Sequence, residues 1–519
     1  MLFVLDALGD AVVGWWCDAC MGTRRHGSAL EARTYTREQR QRCYREKVQR
    51  CPGRLRADAR GAQLQFDEPL SGMEIELNLV DADYRPKMDN TEVLRAIADP
   101  EYQTELGKFN IEFNVPPGRL ADDSLVRLEA LLRKSLNEAE RRSSALGTHI
   151  IMTGILPTVM PETFEGEWMS ENVRYAAIND AVLAARGEDI LIDIEGPDGE
   201  SLTRFVDSVA PESACTSMQL HLQVRPEDFA DHWNAAQVLA GPQLALAANS
   251  PFLMGAQLWA ETRIVLFAQA TDTRPIEYAN QGVRPRVWFG ERWITSIFDL
   301  FEENARWFPA LLPEIDDEDP QAVLDAGGTP ALGEMRLHNG TIYRWNRPIY
   351  DVADGKPHLR LENRVLPAGP TIVDTLANAA FYYGTLHCLA QEDRPVWSRL
   401  AFASAHENFL AGSRHGIDAE MFWPGVGQMP ASELILRHLL PLAYKGLDEW
   451  GVDAGVRDRL LGVVEGRCKS GVNGARWQTE AVRVLESSGL PRVEALRRMV
   501  AAYAEQMHAN NPVHTWELP

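Results

Sequence analysis

Four stretches of the chain alternate apolar and polar residues with a period of two, the pattern of strands that bury one face. In residues 73–79, Met73, Ile75, Leu77 and Leu79 point one way and Glu74, Glu76 and Asn78 the other. Residues 109–115 set Asn110, Glu112 and Asn114 opposite Phe109, Ile111, Phe113 and Val115. Residues 217–224 set Gln219, His221 and Gln223 against Met218, Leu220, Leu222 and Val224. Residues 359–366 set Arg360, Glu362 and Arg364 against Leu359, Leu361 and Val365. Further strands are predicted at 149–155, 190–195 and 334–338, the last with Glu334, Arg336 and His338 on one face.

Helical spacing predicts helices over 36–50, 123–146, 229–248, 252–270 and 291–307. From residue 371 onward the pattern is almost wholly helical, over 371–390, 398–411, 431–450 and 492–507. Strands grouped ahead of helices, with no regular βα repeat, predict an α+β fold with a mainly antiparallel sheet surrounded by helices. The expected organisation is a variable leader over 1–34, a catalytic sheet region over 35–370, and a helical region over 371–519 packed on the same unit.

Any sheet with one solvated face alternates, so the identity of the polar residues has to decide what these faces are for. A solvated face usually collects Lys and Thr, whereas these four carry Glu, Asn, Gln, His and Arg. Glu74 and Glu76, ~6–7 Å apart on one strand, repel unless a cation lies between them. Oxygen-rich clusters with an occasional imidazole select hard cations such as Mg²⁺ or Mn²⁺. Glu74, Glu76, Glu112, His221 and Glu362 offer more ligands than one ion uses, which predicts two or more ions, and Glu105 near the start of the second strand adds another. Arg360 and Arg364 beside the acids suit a transferring phosphoryl group or a substrate carboxylate. With no side chain standing out as a nucleophile, the constellation points to phosphoryl transfer by positioning and electrostatics.

A formal net charge of −22 argues against nucleic acid as a partner, while bound divalent cations still admit a nucleotide. No stretch approaches the ~18 consecutive apolar residues of a membrane span. Seven scattered cysteines fit a reducing, cytoplasmic setting, and Cys17 and Cys20 have no second pair at zinc-site spacing. Residues 1–20 contain Asp6 and Asp10 but no Lys or Arg, unlike a secretory signal, and Met21 offers an alternative start.

Several ordered motifs together resemble glutamate-cysteine ligase family 2 and its carboxylate-amine ligase relatives. They are Gly72-Met73-Glu74-Ile75-Glu76, Glu105-Leu106-Gly107-Lys108-Phe109-Asn110-Ile111-Glu112-Phe113, Gln219-Leu220-His221 and Leu361-Glu362-Asn363-Arg364. Arg174-Tyr175 and Ala248-Asn249-Ser250-Pro251-Phe252, followed by Glu261 and Arg263, belong to the same resemblance. It implies a glutamine-synthetase-like fold, in which a curved antiparallel sheet holds ATP and several Mg²⁺ ions. The implied reaction phosphorylates a carboxylate, usually the γ-carboxylate of glutamate, and then forms an amide with cysteine or another amine.

The resemblance further implies Glu74, Glu76, Glu105, Glu112, His221 and Glu362 as metal ligands, with Glu362 and Arg364 catalytic. Nucleotide contacts are expected from Gln219, Arg360 and Arg364, and substrate contacts from Arg174, Tyr175, Asn249 and Arg263. His338 joins the substrate contacts because residues 337–348 have the polar and aromatic density of a pocket. One departure is Asn363, which stands where the family more often has an apolar residue. A metal-dependent amide hydrolase and a small-molecule kinase of guanidino type are the alternative reactions for such a face. His149 is expected to be a hydrogen-bonded core residue. The partners expected are small molecules, a glutamate-like acid and an amine, with no membrane and with a homo-oligomer left open.

Overall fold

The alternating stretches pair edge to edge in the computed structural model, which describes residues 37–60, 64, 66, 68–353 and 355–519. The leader over 1–34, with Cys17, Cys20 and the alternative start at Met21, lies outside the described residues. The main sheet contains β1 (Leu70–Val80), β2 (Tyr102–Thr104), β3 (Asn110–Arg119), β4 (His149–Ile151), β5 (Met218–Gln223), β6 (Asn346–Ala353) and β7 (Lys356–Asn363). Its order is β6-β7-β5-β1-β3-β2, antiparallel throughout and curled into a half-barrel. β5 pairs with β1 over Ser71–Ile75, and β4 takes the same edge over Asn78–Val80.

Met73, Ile75, Leu77, Ile111, Phe113, Met218, Leu220, Leu359 and Leu361 are all buried on one face. A one-residue slip of any strand would drive its carboxylates into that core, so the hydrophobic pattern specifies the register. A bulge between Ser71 and Met73 against β3 is the irregularity in the central pairing.

Five helices bear on the site: α1 (Val173–Arg186), α2 (Phe229–Ala247), α3 (Thr262–Ala270), α4 (Gly333–Gly340) and α5 (Ile372–Ala390). α2 and α5 are buried almost residue by residue and pack against the sheet. Trp233 Nε1 of α2 donates to the Asn346 carbonyl at 2.9 Å. Tyr383 Oη of α5 donates to the carbonyls of Gly72 and His221 at 3.1 and 2.9 Å, locking the helix beneath the β1–β5 pair. Where α5 crosses the helix Leu440–Glu449, a Cβ on Gly446 would lie 1.9 Å from the Gly384 carbonyl oxygen, so only glycine permits that approach.

Several expected elements take another form. The stretch 334–338 is not a strand but lies in α4, where Glu334, Met335, Arg336, Leu337 and His338 are all buried, so no exposed face leaves a period to read. Each polar residue there has its own partner, including Lys47 for Glu334 at 2.7 Å and Asp351 for Arg336 at 2.6 Å. The predicted helix over 252–270 opens as a hairpin, Phe252–Leu253 against Ala256–Gln257, and only α3 is helical. Met254 and Gly255 at φ 49° and 83° supply the left-handed turn of that hairpin. The strand over 190–195 pairs with Ser201–Val206 in a separate ribbon. The C-terminal half contains a hairpin of Glu420–Trp423 with Gly427–Pro430 among its helices. His149 is hydrogen-bonded, with Nδ1 2.8 Å from Glu140 Oε1, but it is half-buried rather than part of the core. Among the described residues no helix is long and apolar enough to cross a membrane.

Candidate active site

Register turns the four sequence patterns into one surface. Glu76 lies opposite Glu112, Glu74 opposite both Asn114 and Gln219, His221 opposite Glu362, and Glu362 opposite Arg347. Because side chains on paired positions share a face, the polar set of β3, β1, β5, β7 and β6 converges on the side of the sheet away from the core.

Two clusters result. One ligand atom from each of Glu74, His221 and Glu362 falls within 4.8 Å of the others, and the same holds for Glu76, Glu105 and Glu112. His221 Nε2 lies 2.8 Å from Glu74 Oε1. Glu105 reaches the second cluster from the loop between β2 and β3. That loop is held by hydrogen bonds from Lys108 N to the Trp168 carbonyl at 2.7 Å and from Ser170 N to the Leu106 carbonyl at 2.9 Å.

A web of donors orients the acids. Glu76 accepts from Gln219 Nε2 at 3.0 Å and from the Ser217 backbone N–H at 2.6 Å. Gln219 Oε1 accepts from Arg364, whose guanidinium also pairs with Glu362 at 3.2 Å. Arg347, 0% exposed, grips Glu362 with two parallel bonds of 2.6 and 2.9 Å. By contrast, neither oxygen of Glu112 has a hydrogen-bond partner, although the residue is 0% exposed.

Five carboxylates share this face, with Arg347 and Arg364 as buried cations beside Glu362, and their proton affinities diverge accordingly. Burial and the neighbouring Glu74 and Glu105 push Glu112 well above the ordinary range. Burial and Glu76 raise Glu105 to about 7. Burial also disfavours ionised Glu74 and Glu362, but His221 outweighs it at the first, and Arg347 and Arg364 outweigh it at the second, so both sit low. Buried unpartnered oxygens and mutual repulsion are what an oxygen-donor site shows when its charge balance requires cations.

A stability prediction follows from Glu105 and from Glu212, which burial, Glu105 and Glu76 raise to about 8. Folded pKa values raised above unfolded ones stabilise at low pH, and that contribution is lost as pH climbs through the folded values. In chelator, the melting temperature is expected to fall between about pH 5 and about pH 8.5, and divalent cations should flatten the profile. A flat profile in chelator would contradict these electrostatics.

Of the expected substrate residues, Tyr175 lies beside the acids, its Oη donating to the Thr104 carbonyl at 2.9 Å, with Arg174 preceding it in the first turn of α1. Asn249 is tied internally. Its Nδ2 donates to the Ala368 carbonyl and to Tyr503 Oη at 2.9 Å each, and its Oδ1 accepts from Gln478 at 2.8 Å. Arg263 pairs with Glu261 at 3.1 Å and donates to the carbonyls of Arg364 and Val365, so it props the loop that presents Arg364. His338 Nε2 lies 2.9 Å from the Asn304 carbonyl and its ring meets Tyr44, away from both acid clusters. Arg360 points along the same sheet face but pairs with Asp351 at 3.0 Å. Arg347 and Glu212 are the site residues that sequence reasoning did not assign. Arg347 and Asp351 share their strand face with the apolar Ile349, so no clean alternation marks the first, and no periodicity marks the second.

A curled antiparallel sheet thus presents paired acid clusters with arginines inside an α+β chain. The sequence profile of glutamate-cysteine ligase family 2 matches residues 70–502, and the chain belongs to that family. A glutamate-cysteine ligase from Francisella tularensis, solved with AMP, is similar in fold with a TM-score of 0.55 at 11% identity, over 88% of this chain and 91% of that one. A bifunctional glutathione synthetase from Pasteurella multocida aligns at 12% identity and TM-score 0.44, over 87% of this chain and 54% of that one. The ligase PafA in complex with the prokaryotic ubiquitin-like protein Pup aligns at 11% identity and TM-score 0.35, over 83% of this chain and 72% of that one. No curated protein sequence matches the chain.

Proposed function

We propose that this face binds ATP with two or more Mg²⁺ or Mn²⁺ ions and joins the γ-carboxylate of glutamate, or of a glutamate-like acid, to the amine of cysteine or another amine. The observation that carries this reading is the convergence of both acid clusters on one side of the sheet, with Arg364, just past the end of β7, paired to Glu362. The donor set fits hard divalent cations, being oxygen throughout except for one imidazole. Such ions, when bound, neutralise phosphate charge. Glu74, His221 and Glu362 would hold one and Glu76, Glu105 and Glu112 another.

In this reading a substrate carboxylate oxygen attacks the γ-phosphorus of ATP, ADP leaves, and the amine displaces phosphate from the resulting acyl-phosphate as its nitrogen loses a proton. No protein nucleophile is needed. Arg364, oriented by Glu362 and Gln219, faces the charge that moves during both steps. Gln219 fixes Glu76, and Arg347 fixes Glu362. The described cysteines are all free thiols, which supports a cytoplasmic setting.

The test is ADP release with ATP, Mg²⁺ and glutamate, alone and then with cysteine and a panel of amines, with mass spectrometry of the products. ADP coupled to a new amide establishes the ligase. Loss of a supplied γ-glutamyl amide without nucleotide establishes a hydrolase instead, and a stable phosphorylated product without amine establishes a kinase. Arg364→Lys should cost at least about a hundredfold in kcat, because a point ammonium cannot reproduce the fork between Glu362, Gln219 and substrate. Normal kinetics in that variant would remove Arg364 from the mechanism.

A further inference from the structure

A cavity of about 890 Å³ lies outside both acid clusters, within the range of roughly 300–1,000 Å³ that small-molecule sites occupy. It is walled by the ribbon strand Ile190–Glu195 with the turn that follows, by residues 257–260 ahead of α3, and by the helices Phe402–His415 and Gly474–Ser487. Hydrogen bonds fix the ribbon to its neighbours. Trp259 Nε1 donates to the Glu195 carbonyl at 3.0 Å, Gln269 of α3 binds the N–H and the carbonyl of Asp193 at 2.9 and 2.8 Å, and Gln257 N donates to Glu200 Oε2 at 2.7 Å. Gly196 meets the same loop so closely that a Cβ would lie 2.2 Å from the Gln257 carbonyl oxygen. The cavity is therefore preformed, and a ligand entering it has little backbone to order.

Its walls carry charge that the fold does not pair. Arg476, Thr479 and Arg483 line it at helical spacing from one face of Gly474–Ser487. Arg476 pairs with Asp418, but among the described residues no carboxylate pairs with Arg483 or with Arg414, which lies over the Trp259 ring at 4.7 Å. From the ribbon and its turn, the carboxylates of Glu195 and Asp198 likewise lack a cationic partner there. Unpaired charges scattered over a surface are ordinary. These border one concavity and are segregated by sign, with Trp259 touching the ribbon through its indole N–H and the guanidinium of Arg414 through its ring. The same wall supports the acid face. Ala260 N and Glu261 N donate to the carbonyls of Arg414 and Ser413 at 3.1 and 2.8 Å, Glu261 pairs with Arg263, and Arg263 donates to the carbonyls of Arg364 and Val365.

We propose that this cavity is an effector site for a short zwitterionic peptide, with Arg414 and Arg483 taking its carboxylate, Glu195 and Asp198 taking its ammonium group, and its backbone lying along Trp259. The cavity is larger than a single amino acid fills, and a peptide separates its two charges along an extended chain as the walls separate theirs. Through Glu261 and Arg263 the occupant biases the loop that presents Arg364, a clause that rests on the ATP-dependent ligase reading.

The experiment is titration calorimetry of the full chain in chelator at low ionic strength, with di-, tri- and tetraglycine and with each peptide blocked by N-acetylation or by C-amidation. Wild type is compared with the double variants Arg414→Gln, Arg483→Gln and Glu195→Gln, Asp198→Asn, all at exposed positions where the fold tolerates change. At least one free peptide is expected to bind wild type, and either block, or either double variant, should weaken it by about fivefold or more. Acetylation should cost nothing further in the Glu195, Asp198 variant, nor amidation in the Arg414, Arg483 variant. No binding to wild type, or binding that both variants keep, overturns the proposal. Acetylated peptides and inorganic phosphate that bind as tightly as the free peptide would make this a plain anion site and overturn it too. Repeating the titration with Mg²⁺ and a non-hydrolysable ATP analogue should shift the peptide's affinity by about fivefold or more, because coupling between two sites is reciprocal. Equal affinities with the analogue bound overturn the effector role. If the analogue itself does not bind, the ATP reading fails and the effector role falls with it, while the metal-free titrations still decide the peptide site.

Discussion

Replacing Glu112 by Gln is expected to raise the melting temperature of the metal-free protein by a few degrees while cutting ADP release at least about a hundredfold. The two effects have one origin. Glu112 is fully buried, neither of its oxygens has a partner, and Glu74, Glu76 and Glu105 all oppose its charge. The amide keeps the volume and removes the repulsion and the cost of burying an unpaired anion, a gain on the order of 1–3 kcal/mol. It also removes a negative ligand from the cluster with Glu76 and Glu105, where charge is what a divalent ion requires. Thermal unfolding in chelator and then in Mg²⁺ separates the two contributions. Wild type should gain more from Mg²⁺ than the variant does, because linkage stabilisation scales with affinity. A variant less stable than wild type in chelator would show that Glu112 is paired in a way the geometry does not contain.

The legible part of this molecule is its strand face. Period-two alternation located β1, β3, β5 and β7, and the polar residues it singled out, from Glu74 to Arg364, are the ones that register brings together. Alternation is readable there because one face is packed and the other is chemically distinct, so each strand declares its orientation. Where burial is complete the signal vanishes. α4 is enclosed on all sides and carries as many polar as apolar residues, so Glu334, Arg336 and His338 looked like a strand face when each is matched to a distant partner. Residues 252–270 failed for the related reason that an apolar run reads alike as helix or buried hairpin, and the turn at Met254 and Gly255 contains no proline or asparagine to mark it. Asn249 and Arg263 illustrate a different boundary. Sequence resemblance associated them with the site, and the structure shows each completing internal hydrogen bonds that hold the loops around it. Arg347 meets Glu362 across the β6–β7 hairpin and Glu212 lies among charges from distant segments, and no clean alternation marks either.

Glu362→Gln should behave oppositely to Glu112→Gln in stability and alike in activity. Glu362 is also a fully buried acid of the sheet face, but Arg347 grips it in a bidentate pair and Arg364 adds a third bond. Removing its charge strands two buried guanidiniums, and breaking a buried pair by deleting one partner costs about 3–5 kcal/mol. The variant should therefore melt lower than wild type in chelator while its ADP release falls at least about a hundredfold. Arg347→Met alone should be destabilised for the complementary reason, since Glu362 would lose its bidentate partner at a site with no exposure. In the double variant Arg347→Met with Glu362→Gln, neither charge of the pair remains, so the two losses should not add, leaving a coupling on the order of 1–3 kcal/mol. Additive losses would mean that the pair contributes little beyond its separate neighbours. A double variant that recovers stability but not turnover would show that this buried pair is retained on the face for its ligand geometry, since the fold itself does not require it.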